Sequence, residues 1–171
     1  MLIQYQQAVG WLLLVSGILL LGYVLQQALY RLEDESGVVV YSEGTFVLVD
    51  TPNWVKGSRV PDIMVYNAAR IAAYKSENAN WRNAPFILVP DLCVEVVSEN
   101  DKMNEVTDKV EAYLRDGVRL IWVIEPKTRT ITIRELGSQQ ATILYPHDTL
   151  TGGAVMPGLS VRVYLPNRSM V

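Results

Sequence analysis

The strongest constraint on the fold of this chain is one run of residues, 92–124. Leu92 to Ser98 (LCVEVVS) is short, β-branched and apolar, which is the pattern of a strand buried on both faces. Met103 to Asp116 follows with helical spacing, placing Val106, Val110, Tyr113 and Leu114 on one side, and Gly117 supplies a stop. Val118 to Ile124 (VRLIWVI) is a second buried strand. A strand (92–98), a helix (103–116) and a strand (118–124) in that order predict a βαβ crossover, parallel and right-handed. The flanking segments are richer in strands than in helices. The expectation is therefore an α+β domain with a mixed β-sheet.

Around this unit the reading is coarser. Val38 to Tyr41 and Thr45 to Val49 read as a bent strand or hairpin about Ser42-Glu43-Gly44. Thr51 to Ser58 reads as a loop, and Arg59 to Tyr66 (RVPDIMVY) as a strand. Asn67 can cap a short helix through Lys75, and Ser76 to Pro85 reads as loop. Thr130 to Glu135 alternates as an exposed strand after a turn at Glu125 to Arg129. Turns are expected at Gly152-Gly153 and Pro157-Gly158, with a last strand over Leu159 to Leu165.

The first thirty residues differ from the rest. No charge occurs before Arg31, although the chain as a whole carries 15 Lys+Arg and 18 Asp+Glu. Ala8 to Leu25 is apolar apart from glycines and Ser16, long enough to cross a bilayer. The division expected is a hydrophobic N-terminal helix over 1–36 and a domain over 37–171. Residues 8–30 read equally as a single-pass membrane span or as a core helix covered by the sheet and a second subunit. The second reading implies a homodimer in the cytoplasm, since so apolar a helix should not face water.

Composition removes several chemistries. The single cysteine, Cys93, excludes a disulfide framework and a multi-Cys zinc site. The single histidine, His147, excludes a His-rich metal cage and a two-His scheme. Any metal chemistry must run on carboxylates, which suit hard cations such as Mg²⁺. A net charge of −3 argues against coating nucleic acid by bulk charge, though not against a local basic groove.

Three residues stand out from their surroundings. Glu95 lies between Val94 and Val96 in an apolar strand, where an unpaired carboxylate is costly. Period-2 alternation puts it on one face with Asp91, Cys93 and Val97. It is either a metal-ligand carboxylate or part of an edge strand with a wet face. Asp62, after Pro61, is either a second such carboxylate or a turn former. Lys109 borders the apolar face of the helix and is either a site lysine or a snorkelling one. Asp91 reads as a strand-entry residue, Cys93 as a small buried hydrophobe and His147 as a loop residue.

The linked series Arg59-Val60-Pro61-Asp62-Ile63, Pro90-Asp91-Leu92-Cys93-Val94-Glu95-Val96-Val97-Ser98, Lys109-Val110-Glu111-Ala112-Tyr113-Leu114, Asp116-Gly117-Val118 and Ile121-Trp122-Val123-Ile124-Glu125-Pro126 resembles the bacterial Uma-type restriction endonuclease family of the PD-(D/E)XK nuclease superfamily. The resemblance runs from about Gly37 to the Pro157-Gly158 turn. It implies a restriction-endonuclease-like core, a mixed sheet with flanking helices and one crossover. It further implies a Mg²⁺-dependent endonuclease acting on DNA, with Mn²⁺ as a substitute. Asp62 and Glu95 match the metal-binding acids, with the backbone carbonyl of Val96 as a third donor. The motif's lysine position is occupied by Val97, and Lys109 on the following helix matches the displaced lysine. Arg59, Lys56 and Lys102 would then lie near the phosphates. The chain departs from the family at its start. The hydrophobic leader stands where a YELIDGE-like strand and an amphipathic helix are usual. A catalytically degenerate binding or assembly module, tethered to a membrane, is the alternative.

Overall fold

The computed structural model describes residues 37–42, 44–48 and 57–163. The expected N-terminal helix, and with it the membrane and dimer readings that rest on residues 8–30, lies outside the described residues. Among the described residues no helix is long and apolar enough to cross a membrane.

The strands of the main sheet are β1 (Val38–Ser42), β2 (Ile63–Asn67), β3 (Leu92–Val96), β4 (Leu120–Glu125), β5 (Thr130–Glu135) and β6 (Ala141–Leu144). They lie side by side in chain order. Only β3 and β4 are parallel, with Glu95 opposite Val123; the other neighbours are antiparallel. Helix α1 (Ala68–Glu77) links β2 towards β3, and α2 (Met103–Asp116) makes the β3–β4 crossover. A hairpin of β7 (Thr149–Gly152) and β8 (Met156–Arg162) forms a separate two-stranded sheet. The sheet is mixed, as the sequence predicts.

Alternation sorts the side chains into two cores. Ile63, Val65, Leu92, Val94, Leu120, Trp122 and Ile124 face the β7–β8 hairpin, which contributes Leu150, Met156 and Leu159. Met64, Tyr66, Cys93, Ile121 and Val123 face the helices, which contribute Ile71, Val106, Val110 and Tyr113. Covering on both faces explains why β2, β3 and β4 read as continuous apolar runs.

The helix ends follow from local chemistry. Asn67 accepts from the amides of Ala69 and Arg70 through Oδ1, so α1 starts where the cap places it. At the end of α2, Gly117 adopts φ +99°, a left-handed conformation that disfavours a side chain. The Val118 amide then donates to the Tyr113 carbonyl and the Gly117 amide to that of Leu114. This cap consumes Val118, so β4 begins at Leu120 rather than at 118.

Four expectations are corrected. Residues 45–48 do not pair with 38–41 as a hairpin, and residue 49 lies outside the described residues. β1 pairs instead with β2, and Phe46 makes isolated bridges to Arg59 and Phe86. β2 begins at Ile63 rather than Arg59, because Pro61 has no amide to give and Asp62 uses its side chain on the neighbouring strand. β5 is not the exposed strand expected: Ile131 is buried and most of its other residues are half-buried, because it lies between β4 and β6. Pro157 and Gly158 lie inside β8, whereas the turn at Gly152-Gly153 stands. A Cβ on Gly152 would come within 2.4 Å of the Met156 Cβ, so only glycine allows that hairpin to close.

Candidate active site

The register of the sheet brings Asp62 and Glu95 together. Ile63 pairs with Val94 and Met64 with Cys93, so one step further Asp62 stands across from Glu95. The two share the helix-facing side of the sheet with Met64 and Cys93. Asp62 Oδ2 accepts the Val96 amide at 2.6 Å, replacing the backbone acceptor the ladder would otherwise supply. Asp62 itself is exposed.

Glu95 is only 5% exposed. Its two carboxylate oxygens are held by two residues of α2. Lys109 Nζ donates to Oε2 at 2.8 Å, and Tyr113 Oη donates to Oε1 at 2.5 Å. Lys109 and Tyr113 are four residues apart, hence neighbours on one helix face. The crossover lays that face over β3, which is why a lysine fourteen residues downstream reaches the strand. The position two residues after Glu95 is filled by Val97, which is buried in the helix-side core. A lysine at position 97 would empty that packing.

Electrostatics tie the four side chains together. Burial pushes the Glu95 carboxyl above its ordinary range. The bonds from Lys109 and Tyr113 pull it back, and the charge of Asp62 adds to the rise. For Lys109, burial alone would lower the pKa. The bond to Glu95 and the charges of Glu95, Asp62 and Asp101 outweigh burial and hold it above the usual lysine range. The Tyr113 phenol is pushed far up, by burial and by the Glu95 carboxylate, so it remains a donor. Burial, followed by the charge of Glu95, likewise raises the Cys93 thiol.

An open groove of ≈ 570 Å³ runs beside this cluster, lined by Arg59, Val60, Glu105, Lys109 and Tyr113 among others. The basic residues expected near phosphates are engaged within the protein. Arg59 Nε lies 2.8 Å from Asp116, and its guanidinium also donates to the carbonyls of Gly57 and Ser58. Lys102 pairs with Glu105 at 2.9 Å. Lys56 lies outside the described residues.

Two residues carry more than sequence reasoning assigned. Tyr113 was expected only as part of the apolar face of α2; its place four residues after Lys109 is the signal that pairs it with the same carboxylate. Asp91 is not merely a strand-entry residue. It is 2% exposed, accepts the Asn67 amide at 2.8 Å, and pairs with Arg70 at 2.7 Å and Arg119 at 3.5 Å. It therefore fastens the start of α1 to the start of β3, at the end of the strand away from Glu95. His147 lies in the loop before β7, with φ +81°.

The donors fit a hard divalent cation. Asp62 and Glu95 bring carboxylates to opposed positions of neighbouring strands, and among the described residues no group of three or more His, Cys, Asp or Glu side chains that could hold a metal occurs. Mg²⁺ is commonly held this way, by one or two carboxylates with waters retained.

A mixed sheet with one parallel pair, a crossover helix and an acid–acid–lysine cluster across β2, β3 and that helix define a restriction-endonuclease-like protein. The chain belongs to the Uma2 family, described as "Putative restriction endonuclease", which matches residues 18–165. The match begins inside the apolar leader and not at Gly37 as the motifs alone indicated. Among solved structures, the chain is similar to a "putative nuclease belonging to DUF820" from Anabaena variabilis ATCC 29413. The TM-score is 0.66 at 17% identity, over 83% of this chain and 75% of that one. A DrdV–DNA complex gives a TM-score of 0.49 at 15% identity, over 81% of this chain and 12% of that one. A search of curated proteins gives no match.

Proposed function

We propose that the protein is a metal-dependent endonuclease that hydrolyses DNA phosphodiester bonds, with Asp62, Glu95 and Lys109 as its catalytic residues. The observation that carries this reading is Glu95. A carboxylate buried at the centre of a sheet, facing an aspartate across the strand pair and touched by a lysine from the next helix, is expensive to maintain and has no evident structural purpose. Membership of the Uma2 family supports the same chemistry.

In this reading Asp62 and Glu95 hold a Mg²⁺ or Mn²⁺ ion, with the Val96 carbonyl as a third donor. Such an ion supplies Lewis acidity towards the phosphate and a water of lowered pKa. The protein residues do the rest. Asp62 is fixed by the Val96 amide, so its carboxylate approaches the site in one orientation. Lys109, charged and 52% exposed, can turn from Glu95 towards the groove, where its ammonium stabilises charge gathering on the scissile phosphate or orients the attacking water.

The test is cleavage of plasmid and linear DNA by the purified protein with Mg²⁺ or Mn²⁺, against a chelator control. Asp62→Asn and Glu95→Gln should abolish cleavage while leaving the fold intact. Lys109→Ala should slow it by about 10²–10³-fold while sparing metal uptake. A folded protein that binds DNA but cleaves none with either ion would instead identify a catalytically inactive module.

A further inference from the structure

We propose that Tyr113 is a positioning residue: its hydroxyl holds one oxygen of the Glu95 carboxylate, so that the other, which Lys109 vacates, stays turned towards the cation. The inference rests on the nuclease reading and adds a residue to it.

The argument starts from an asymmetry between the two donors on Glu95. The Lys109 side chain is 52% exposed and ends a flexible four-carbon stem, so it can swing towards the groove. Tyr113 is 1% exposed and its ring packs against Phe46 with centroids 6.1 Å apart. A ring enclosed in that way cannot leave. Its hydroxyl stays on Oε1 of Glu95 at 2.5 Å whatever Lys109 does.

That bond has a consequence for ligation. A glutamate has a soft terminal torsion, and without a fixed donor its carboxylate plane would sample orientations that do not face Asp62. Tyr113 removes that freedom by claiming one oxygen. The freed Oε2 is then the oxygen that Lys109 occupies in this structure and that a cation would share with Asp62. Donors behind a ligating carboxylate commonly alter metal affinity or activity about 10–100-fold when removed.

The experiment compares wild type with Tyr113→Phe, which keeps the ring against Phe46 and deletes only the hydroxyl. Calorimetry with Mn²⁺ alone should show affinity weakened about 10–100-fold. At limiting Mn²⁺ the variant's kcat should fall by a similar factor while KM for DNA holds, and excess Mn²⁺ should restore kcat. If the wild type binds Mn²⁺ and cleaves, and Tyr113→Phe matches it in both, the positioning role is refuted and the nuclease reading stands. If the wild type neither binds Mn²⁺ nor cleaves, the nuclease reading fails first and takes this inference with it. A second measurement needs no substitution at 113. The Cζ resonance of ¹³C-labelled Tyr113 should shift between wild type and Glu95→Gln, yet barely change when Mg²⁺ is added to wild type. A resonance unmoved by Glu95→Gln, or one that collapses to a free-phenol value with Mg²⁺, overturns the proposal.

Discussion

Replacing Lys109 by methionine should destabilise the protein in a pH-dependent way that Glu95→Gln reverses. The substitution keeps the aliphatic stem and removes the charge, leaving the Glu95 carboxylate, 6% exposed in its side chain, with Tyr113 as its donor in the cluster. Breaking a fully buried pair from one side costs about 3–5 kcal/mol. An exposed pair is worth about 0–1 kcal/mol. Here one partner is buried and the other is half in water, and the Tyr113 bond persists, so about 2 kcal/mol is expected at pH 8. For a chain of this size that lowers Tm by roughly 4–8 °C. The sign with pH follows from the raised Glu95 pKa, whose chief cause is burial. A carboxyl raised on folding binds its proton more tightly in the native state. Stability therefore falls as pH rises from the ordinary glutamate value of 4.5 through the folded value, and is regained on acidification. Loss of Lys109 widens that window, so the deficit should shrink between pH 8 and pH 5. Urea unfolding followed by circular dichroism at both pH values, for wild type, Lys109→Met, Glu95→Gln and the double variant, measures the cycle. The reasoning is refuted if the Lys109→Met deficit is the same at pH 5 and pH 8 and persists in the double variant. The same measurement bears on Glu95→Gln alone. Repulsion from Asp62 by itself argues that this change stabilises the fold, but the structure gives Glu95 two donors whose loss offsets that gain. A change within about 1 kcal/mol is expected.

Asp91→Ala should cost about 2–3 kcal/mol by chemical denaturation, since it strands the Asn67 amide and two arginines, while leaving Mn²⁺ uptake by the remaining folded protein unchanged. Cys93 is fully buried with its thiol pushed up by burial, so native protein should resist a thiol reagent at pH 8 and react at once in denaturant; fast native labelling would contradict the packing of β3 under α2. Gly152→Ala should lower stability by more than 1 kcal/mol, read as a drop in urea midpoint, because its Cβ meets Met156 at 2.4 Å.

The crossover was legible because each of its parts is set locally. Apolar runs flanking an amphipathic helix with a glycine stop leave few arrangements, and α2 spans the residues its periodicity indicates, Met103–Asp116. The Asn67 cap was legible for the same reason. Glu95 could be singled out because its neighbours in sequence are also its neighbours in the strand. The β6 and β7 strands were not legible. β6 is mostly exposed and β7 buries only Leu150 and Gly152, so neither carries a long apolar pattern, and pairing with β5 and β8 decides them. The place of 45–48 was likewise decided at long range, since Phe46 bridges to Arg59 and Phe86 while β1 pairs with Ile63–Asn67.

At the site, the sequence supplied the residue types and their order: an acid after Pro61, an acid within an apolar strand, a lysine on the helix that follows. It could not say that Lys109 bonds one oxygen of Glu95 and Tyr113 the other, or that Asp62 grips the Val96 amide. These depend on the register between β2 and β3 and on the rotation of α2 over the sheet. A change of one residue in the register, or about 100° in the helix, would leave every local preference satisfied and the four side chains apart. Long-range packing fixes both quantities, through the fit of Val106, Val110 and Tyr113 against Cys93, Val97 and Ile121. Composition and periodicity therefore determine which elements form and which residues are chemically out of place. Only the tertiary structure decides which of those residues meet.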